Sequence, residues 1–252
     1  MIPYVTLPPL IWGRWIVPPF ALLVSVGVLA AHLILMRRAR RLGLRVAWAG
    51  EFSLAAVVSG FAGAVAFKFL YRPELWLDAW PYVRSWPGIS SFGGLFGGLA
   101  GALGYLALRR ANTRERWRYF DALGFAFPFG LWWGRLGCSV THDHPGRAAA
   151  QPNWLTVAYP DGPRYDLGVI EGLFLAALCA AFIIWSRRRP APRPGFFFAA
   201  FLLLYGPFRI VLDALHVDPP RYAGIAVDQW AGAAAFLIGV AVWRGVQRSS
   251  TP

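Results

Sequence analysis

Apolar residues run along this chain in long stretches rather than in the alternating or amphipathic patterns of a water-soluble domain. Seven such runs lie at approximately 15–36, 53–70, 92–108, 119–138, 167–186, 196–212 and 228–247. Each is close to the roughly 20 residues that cross a hydrocarbon core at about 1.5 Å per residue. The third, fourth and sixth are short or glycine-rich, which predicts tilt or a local break. The links between runs are short and leave little chain for a separate soluble domain. The pattern predicts an all-α, polytopic membrane helix bundle of about seven transmembrane helices, with residues 1–252 forming a single integral membrane domain.

Composition agrees: 57% of residues are hydrophobic and 15% are charged, against roughly 25% charged in soluble domains. The formal net charge of +13 raises nucleic acid as a partner, but the basic residues are not spread as a groove-lining patch. Of 25 Lys and Arg, five fall in 37–45, five in 109–118, four in 187–193 and two after 243. Seven alternating spans put all four clusters on one side. The positive-inside rule then predicts a cytoplasmic C-terminus, an outside N-terminus and no nucleic-acid partner. Clustered arginines beside a bilayer also attract anionic headgroups.

The first run lacks a basic stretch before it, and no small-residue cleavage site follows; Arg37, Arg38, Arg40 and Arg41 follow instead. It reads as a retained span. Cys138 and Cys179 form no disulfide framework.

The same topology gathers the remaining polar residues at the opposite, outer face. The second span ends at Tyr71-Arg72-Pro73-Glu74, and the third starts near Ser91-Phe92-Gly93-Gly94. Arg135 lies about one turn below the outer end of the fourth, followed by His142-Asp143-His144. Glu171 sits about one turn into the fifth, Arg209 and Asp213 close the sixth, and Asp228-Gln229 open the seventh. Charged side chains within a membrane normally face a bundle interior or a polar cavity. A cavity open to the outside is the expected outcome. Arg209 and Asp213, at i,i+4, form a possible pair on one helical face. The competing reading makes Arg209–Asp213 and Arg135–Glu171 mutual neutralisers that only hold helices together. Gly93-Gly94, Gly97-Gly98 and Gly101 let backbones approach closely. His142-Asp143-His144 reads as a base with its orienting carboxylate, or as a polar loop turned by Pro145-Gly146. Metal ligation by this alternating trio lacks a second ligand cluster at diagnostic spacing, so no metal or cofactor is expected.

The stretch Gly134-Arg135-Leu136-Gly137-Cys138-Ser139-Val140-Thr141-His142-Asp143-His144-Pro145-Gly146 resembles the signature of the bacterial prolipoprotein diacylglyceryl transferases, Gly-Arg-x-Gly-Asn-Phe-x-Asn-x-Glu-x-x-Gly. Gly134, Arg135, Gly137 and Gly146 keep its frame. Asp143 stands for the glutamate, Thr141 for the second asparagine and Cys138-Ser139 for Asn-Phe. Tyr205-Gly206-Pro207-Phe208-Arg209 through Asp213 is similar to the family's Tyr-Gly-x-x-Arg-Phe-x-x-Glu segment. Glu171 and Gln229 match an acid and a glutamine of the family. Ser91-Phe92-Gly93-Gly94 lies on its Ser-Phe-His-Gly-Gly, with Phe92 where the histidine would be.

The resemblance covers about residues 50–245 in order. It implies transfer of a diacylglyceryl group from phosphatidylglycerol to the lipobox cysteine thiol of a prolipoprotein signal peptide, with release of glycerol phosphate. The expected setting is the bilayer of the bacterial inner membrane, with the active site toward its periplasmic face. Arg135 and Arg209 are the expected phosphate-holding pair, since guanidinium binds phosphate bidentately. His142, His144 and Asp143 complete the expected catalytic set. Ser91, Gly93, Gly94, Gly137, Gly146, Glu171, Asp213 and Gln229 are the expected substrate-binding residues. Departures from the signature leave two other readings open: a paralogue with another acceptor, and a non-catalytic module that binds anionic lipid. A transporter would need a polar path to both faces, and beyond Lys68 and His32 the inner halves of the spans offer little.

Overall fold

A computed structural model describes residues 1–13, 15–70, 90–188 and 193–248. The predicted outer end of the second span, Tyr71–Glu74, lies outside the described residues. Seven long helices are described: α1 (Pro19–Arg41), α2 (Val46–Ala66), α3 (Ser91–Leu108), α4 (Thr113–Thr141), α5 (Leu167–Arg188), α6 (Phe196–Asp213) and α7 (Val227–Arg248). Five segments are long and apolar enough to cross a membrane: α1, α2 with the 3₁₀ turn to Leu70, α3, α5 and α6. α4 and α7 are not among these five.

The protein is mostly helical, as the apolar runs predict, but its loops carry small antiparallel sheets that the helical period does not foretell. β1 (Leu10–Trp12) pairs with β2 (Trp15–Val17). β3 (Pro145–Ala148), β4 (Thr156–Tyr159) and β5 (Gly162–Asp166) form a sheet with β5 in the centre. β6 (Arg221–Tyr222) pairs with β7 (Ile225–Ala226). The N-terminal residues lie along the second sheet: Ile2 bridges Val157, with its N–H donating to the Thr156 carbonyl at 2.7 Å.

Local chemistry sets the helix ends. Asn112 and Glu115 form a reciprocal capping box at the start of α4, with distances of 2.9 and 3.3 Å. Such a box satisfies two otherwise unpaired backbone donors. At the other end of α4, His142 takes a left-handed conformation (φ 49°) and reverses the chain. Ser90 caps α3 by accepting from the Gly93 N–H at 3.3 Å.

The helices pack as pairs, α1 on α4, α2 on α3 and α6 on α7. Glycine makes the α2–α3 seam: a Cβ at Gly93 would lie 2.4 Å from both the Gly63 carbonyl oxygen and Phe67 Cβ. Two backbones this close exclude any larger residue.

One charge counted above with the basic loops lies instead inside the bundle. Arg38 of α1 is 6% exposed and pairs with Asp121 of α4 at 3.0 Å. The other Asp121 oxygen accepts from the Phe197 N–H of α6 at 2.8 Å, and Phe125 and Phe197 flank the guanidinium. This network ties three helices together and serves one of the orphan N–H groups at the start of α6.

Candidate active site

The helix pairs enclose a cavity of about 650 Å³. Away from the arginines its lining is mostly apolar, with Val24, Gly27 and Leu35 from α1, Gly60 from α2, Leu95 from α3 and Phe198 from α6, and with one polar pair, His32 and Ser53, at 3.0 Å. Ser91, Arg135, Cys138, Asp143, His144 and Arg209 line it as well, as do Asp213, His216 and Asp228. Lys68 also lines the cavity.

Two guanidiniums from different helices meet on one carboxylate. Glu171 of α5 is fully buried, with one oxygen 2.9 Å from Arg135 Nε and the other 2.5 Å from Arg209 Nη1. The Arg135 contact is an ion pair rather than an aligned hydrogen bond, since that Nε has no hydrogen-bond partner of acceptable geometry. Tyr205 donates its hydroxyl to Glu171 at 2.7 Å. Arg135 Nη2 donates to Ser91 Oγ at 2.8 Å, and its Nη1 lies 3.8 Å from Cys138 Sγ. Arg209 Nη2 reaches Asp228 at 2.5 Å. Each guanidinium has five N–H donors, so these contacts orient it and leave others for the cavity.

Several expectations from the sequence are redrawn by this geometry. Arg209 pairs with Glu171 and Asp228 rather than with Asp213, although Asp213 is one turn away. Asp213 is 5% exposed on the cavity wall, and its Oδ2 has no partner among the described residues. Gln229 does not line the cavity; its side chain accepts from the Ala226 N–H at 3.2 Å and caps α7. Its neighbour Asp228 is the residue of that pair on the wall. Gly93 and Gly137 serve helix packing, Gly137 beside Phe20, while Gly94 faces the cavity. Gly146 sits where a Cβ would come 2.6 Å from the Tyr165 carbonyl oxygen and 2.9 Å from that of Leu215. That close fit holds β3 against the chain leaving α6.

The two histidines of His142-Asp143-His144 part company. His142 turns away from the cavity: Nδ1 is 2.6 Å from Asp166 Oδ2 and Nε2 is 3.2 Å from the Val5 carbonyl oxygen. Tyr4 stacks on its ring at 4.0 Å, and Tyr159 donates to the same Asp166 oxygen at 2.7 Å. This is a structural clasp between the N-terminal segment, the end of α4 and the sheet. His144 faces the cavity, with Nδ1 2.6 Å from Asp143 Oδ1. Burial works to lower its pKa, but hydrogen bonds to Asp143 and Cys138 outweigh it and push the value up to about 9. For Asp143 burial works upward, and the bond to His144 outweighs it and holds the carboxyl below its usual range. Cys138, Asp143 and His144 bring one ligand atom each within 4.8 Å of one another, the one group among the described residues with donors so placed for a metal ion.

Phe92, at the position of the absent histidine, is completely buried. Its ring centre lies 5.5 Å from the Arg209 guanidinium carbon and 6.0 Å from the rings of Phe96 and Tyr205. It backs Arg209 rather than lining the cavity. Four contributors went unassigned in the sequence reading: Cys138, Tyr205, His216 and Asp228. Tyr205 and Cys138 lie within the quoted motifs, and His216 and Asp228 lie at the span ends that the topology places on the outer face, but none of the four was given a role.

Five segments long and apolar enough to cross a membrane, around a cavity lined by two arginines, define a multi-pass membrane protein with an internal polar site. The sequence model of the prolipoprotein diacylglyceryl transferase family matches residues 10–244, and the chain belongs to that family. Relatives named phosphatidylglycerol–prolipoprotein diacylglyceryl transferase include those of Mannheimia succiniciproducens and Chromohalobacter salexigens. The first is 29% identical over 226 residues, covering 86% of this chain and 80% of the relative. The second is 30% identical over 222 residues, covering 83% and 78%.

Proposed function

We propose that the chain transfers the diacylglyceryl group of phosphatidylglycerol to the cysteine thiol of a prolipoprotein, the activity for which its relatives are named. The observation that carries this reading is the Arg135–Glu171–Arg209 bridge on the wall of a cavity whose remaining lining is largely apolar. Acyl chains fit the apolar lining and the phosphodiester fits the guanidiniums. Fixed donors aimed at charge that develops on the leaving phosphate stabilise the transition state without reorganisation.

In this reading all seven helices span the inner membrane, with the Arg-rich links in the cytoplasm and the site near the periplasmic face. Basic clusters between α1 and α2, α3 and α4, α5 and α6, and at the end of α7 support it. The lipobox cysteine approaches past Asp143 and His144. The thiol, with a free pKa near 8.5, needs a positive field or a base, and His144 held by Asp143 is the nearest such group. Ser91 and Glu171 act as positioning residues for Arg135. Asp213 and Gly94 contribute to the walls.

The test is a membrane assay with phosphatidylglycerol and a lipobox peptide, reading thioether product by mass spectrometry. Arg135→Ala and Arg209→Ala are each expected to abolish transfer with the protein still folded. Unchanged transfer in both variants overturns the assigned phosphate role.

A further inference from the structure

Cys138 occupies the last turn of α4, one turn beyond Arg135, and the left-handed residue His142 folds the next residues back over it. That reversal brings a carboxylate and an imidazole to the thiol: Cys138 Sγ, an Asp143 oxygen and a His144 ring nitrogen lie within 4.8 Å of one another. All three line the cavity that also holds Arg135 and Arg209.

Thiolate, imidazole and carboxylate are the donor types zinc prefers. Three protein ligands with a fourth position open to a cavity mark catalytic rather than structural zinc sites. The thiolate selects against magnesium and calcium, which take oxygen donors. Charge also balances. Thiolate and carboxylate neutralise a divalent ion, and the nearby Arg135, 3.8 Å from the sulfur, already carries Glu171 as counter-charge.

We propose that Cys138, Asp143 and His144 bind a zinc ion whose open position takes the acceptor cysteine thiol. Bound to zinc, a thiol is deprotonated outright, and its proton passes to solvent. The sulfur lone pair then forms a bond to the terminal glycerol carbon of the lipid. The bond from that carbon to the phosphate oxygen breaks, and its electron pair leaves on glycerol phosphate beside Arg135 and Arg209. The ion does not change oxidation state. This deepens the transferase reading and rests on it for the identity of the acceptor; the metal site stands on its own donors. His144 then activates the acceptor thiol as a ligand of the ion, not by taking the proton itself.

The test uses the full chain purified in detergent, stripped with a chelator and titrated with Co²⁺ and then Zn²⁺. The expected result is one Co²⁺ per chain, a near-ultraviolet sulfur-to-cobalt charge-transfer band, and displacement by Zn²⁺. Cys138→Ser should remove the band, while Cys179→Ser, at a buried thiol off the cavity wall, should leave it unchanged. Asp143→Ala and His144→Ala should weaken binding by more than the roughly 10- to 100-fold lost when a group hydrogen-bonded to a metal ligand is removed. A lipobox cysteine peptide should intensify the band by adding a second sulfur, and a serine peptide should not. A missing band, or one that survives Cys138→Ser, overturns the site. Full transfer by the chelated protein, or a band indifferent to the cysteine peptide, overturns thiol coordination. The expected cobalt spectrum in a protein that transfers no lipid, with or without Zn²⁺, keeps the metal site and overturns the transferase reading instead.

Discussion

Glu171 and Arg209, separated by 38 positions and carried on different helices, meet at 2.5 Å inside the bundle. The same carboxylate holds Arg135 at 2.9 Å on its other oxygen, so one acid sets the spacing of both guanidiniums.

Glu171→Gln removes the charge between two buried cations. Breaking a buried ion network this way costs about 3–5 kcal/mol. The variant is expected to unfold at a clearly lower temperature or denaturant concentration in detergent and to lose transfer. Tyr205→Phe removes one hydrogen bond to the same carboxylate and is expected to cost about 1.5–3 kcal/mol with transfer largely kept.

Arg135→Lys and Arg209→Lys keep the charge and lose the planar fork. If the forks hold the leaving phosphate, kcat should fall about 10²- to 10³-fold. Steady-state kinetics with phosphatidylglycerol vesicles check this; a rise in KM alone would assign the arginines to ground-state binding.

His142 and His144 should separate cleanly in experiment. His142→Ala loses the bonds to Asp166 and Val5 and is expected to lower stability, with the folded fraction still active. His144→Ala is expected to keep stability and to lose transfer about 10²- to 10⁴-fold. Parallel unfolding and transfer measurements on both variants decide it.

Arg38→Ala strands Asp121 in the bundle and is expected to destabilise by about 3–5 kcal/mol. Replacing both partners with apolar residues of similar volume should recover much of that loss, since matched apolar pairs often equal a buried ion pair. Equal destabilisation in the single and double variants would show that the flanking Phe125 and Phe197 contacts matter more.

The long apolar runs announced the helices because about 20 residues are needed to cross hydrocarbon, and the helical segments fall on all seven runs. Arg135, Arg209 and Glu171 were legible as a convergent group because charge in an apolar helix has few places to go. The partners within that group were less so. Spacing favoured Asp213 for Arg209, but side-chain direction and the neighbouring helices chose Glu171 and Asp228. The contrast between His142 and His144 depends on a single left-handed residue, and positive φ in a histidine carries no periodic signal. Arg38 looked like part of a basic loop; only the packing of α4 and α6 shows that it is inside.

The reversal at His142 has a mechanical consequence. Arg135 and the Cys138, Asp143 and His144 trio are carried on one stretch of ten residues, rigid helix at one end and clasped turn at the other. A displacement of the end of α4 therefore moves the Arg135 guanidinium and the Cys138, Asp143 and His144 cluster together. In a protein that must bring an oily donor and a peptide acceptor to one point, the two arrivals are coupled by a common lever, and a loosened clasp would put both out of alignment at once.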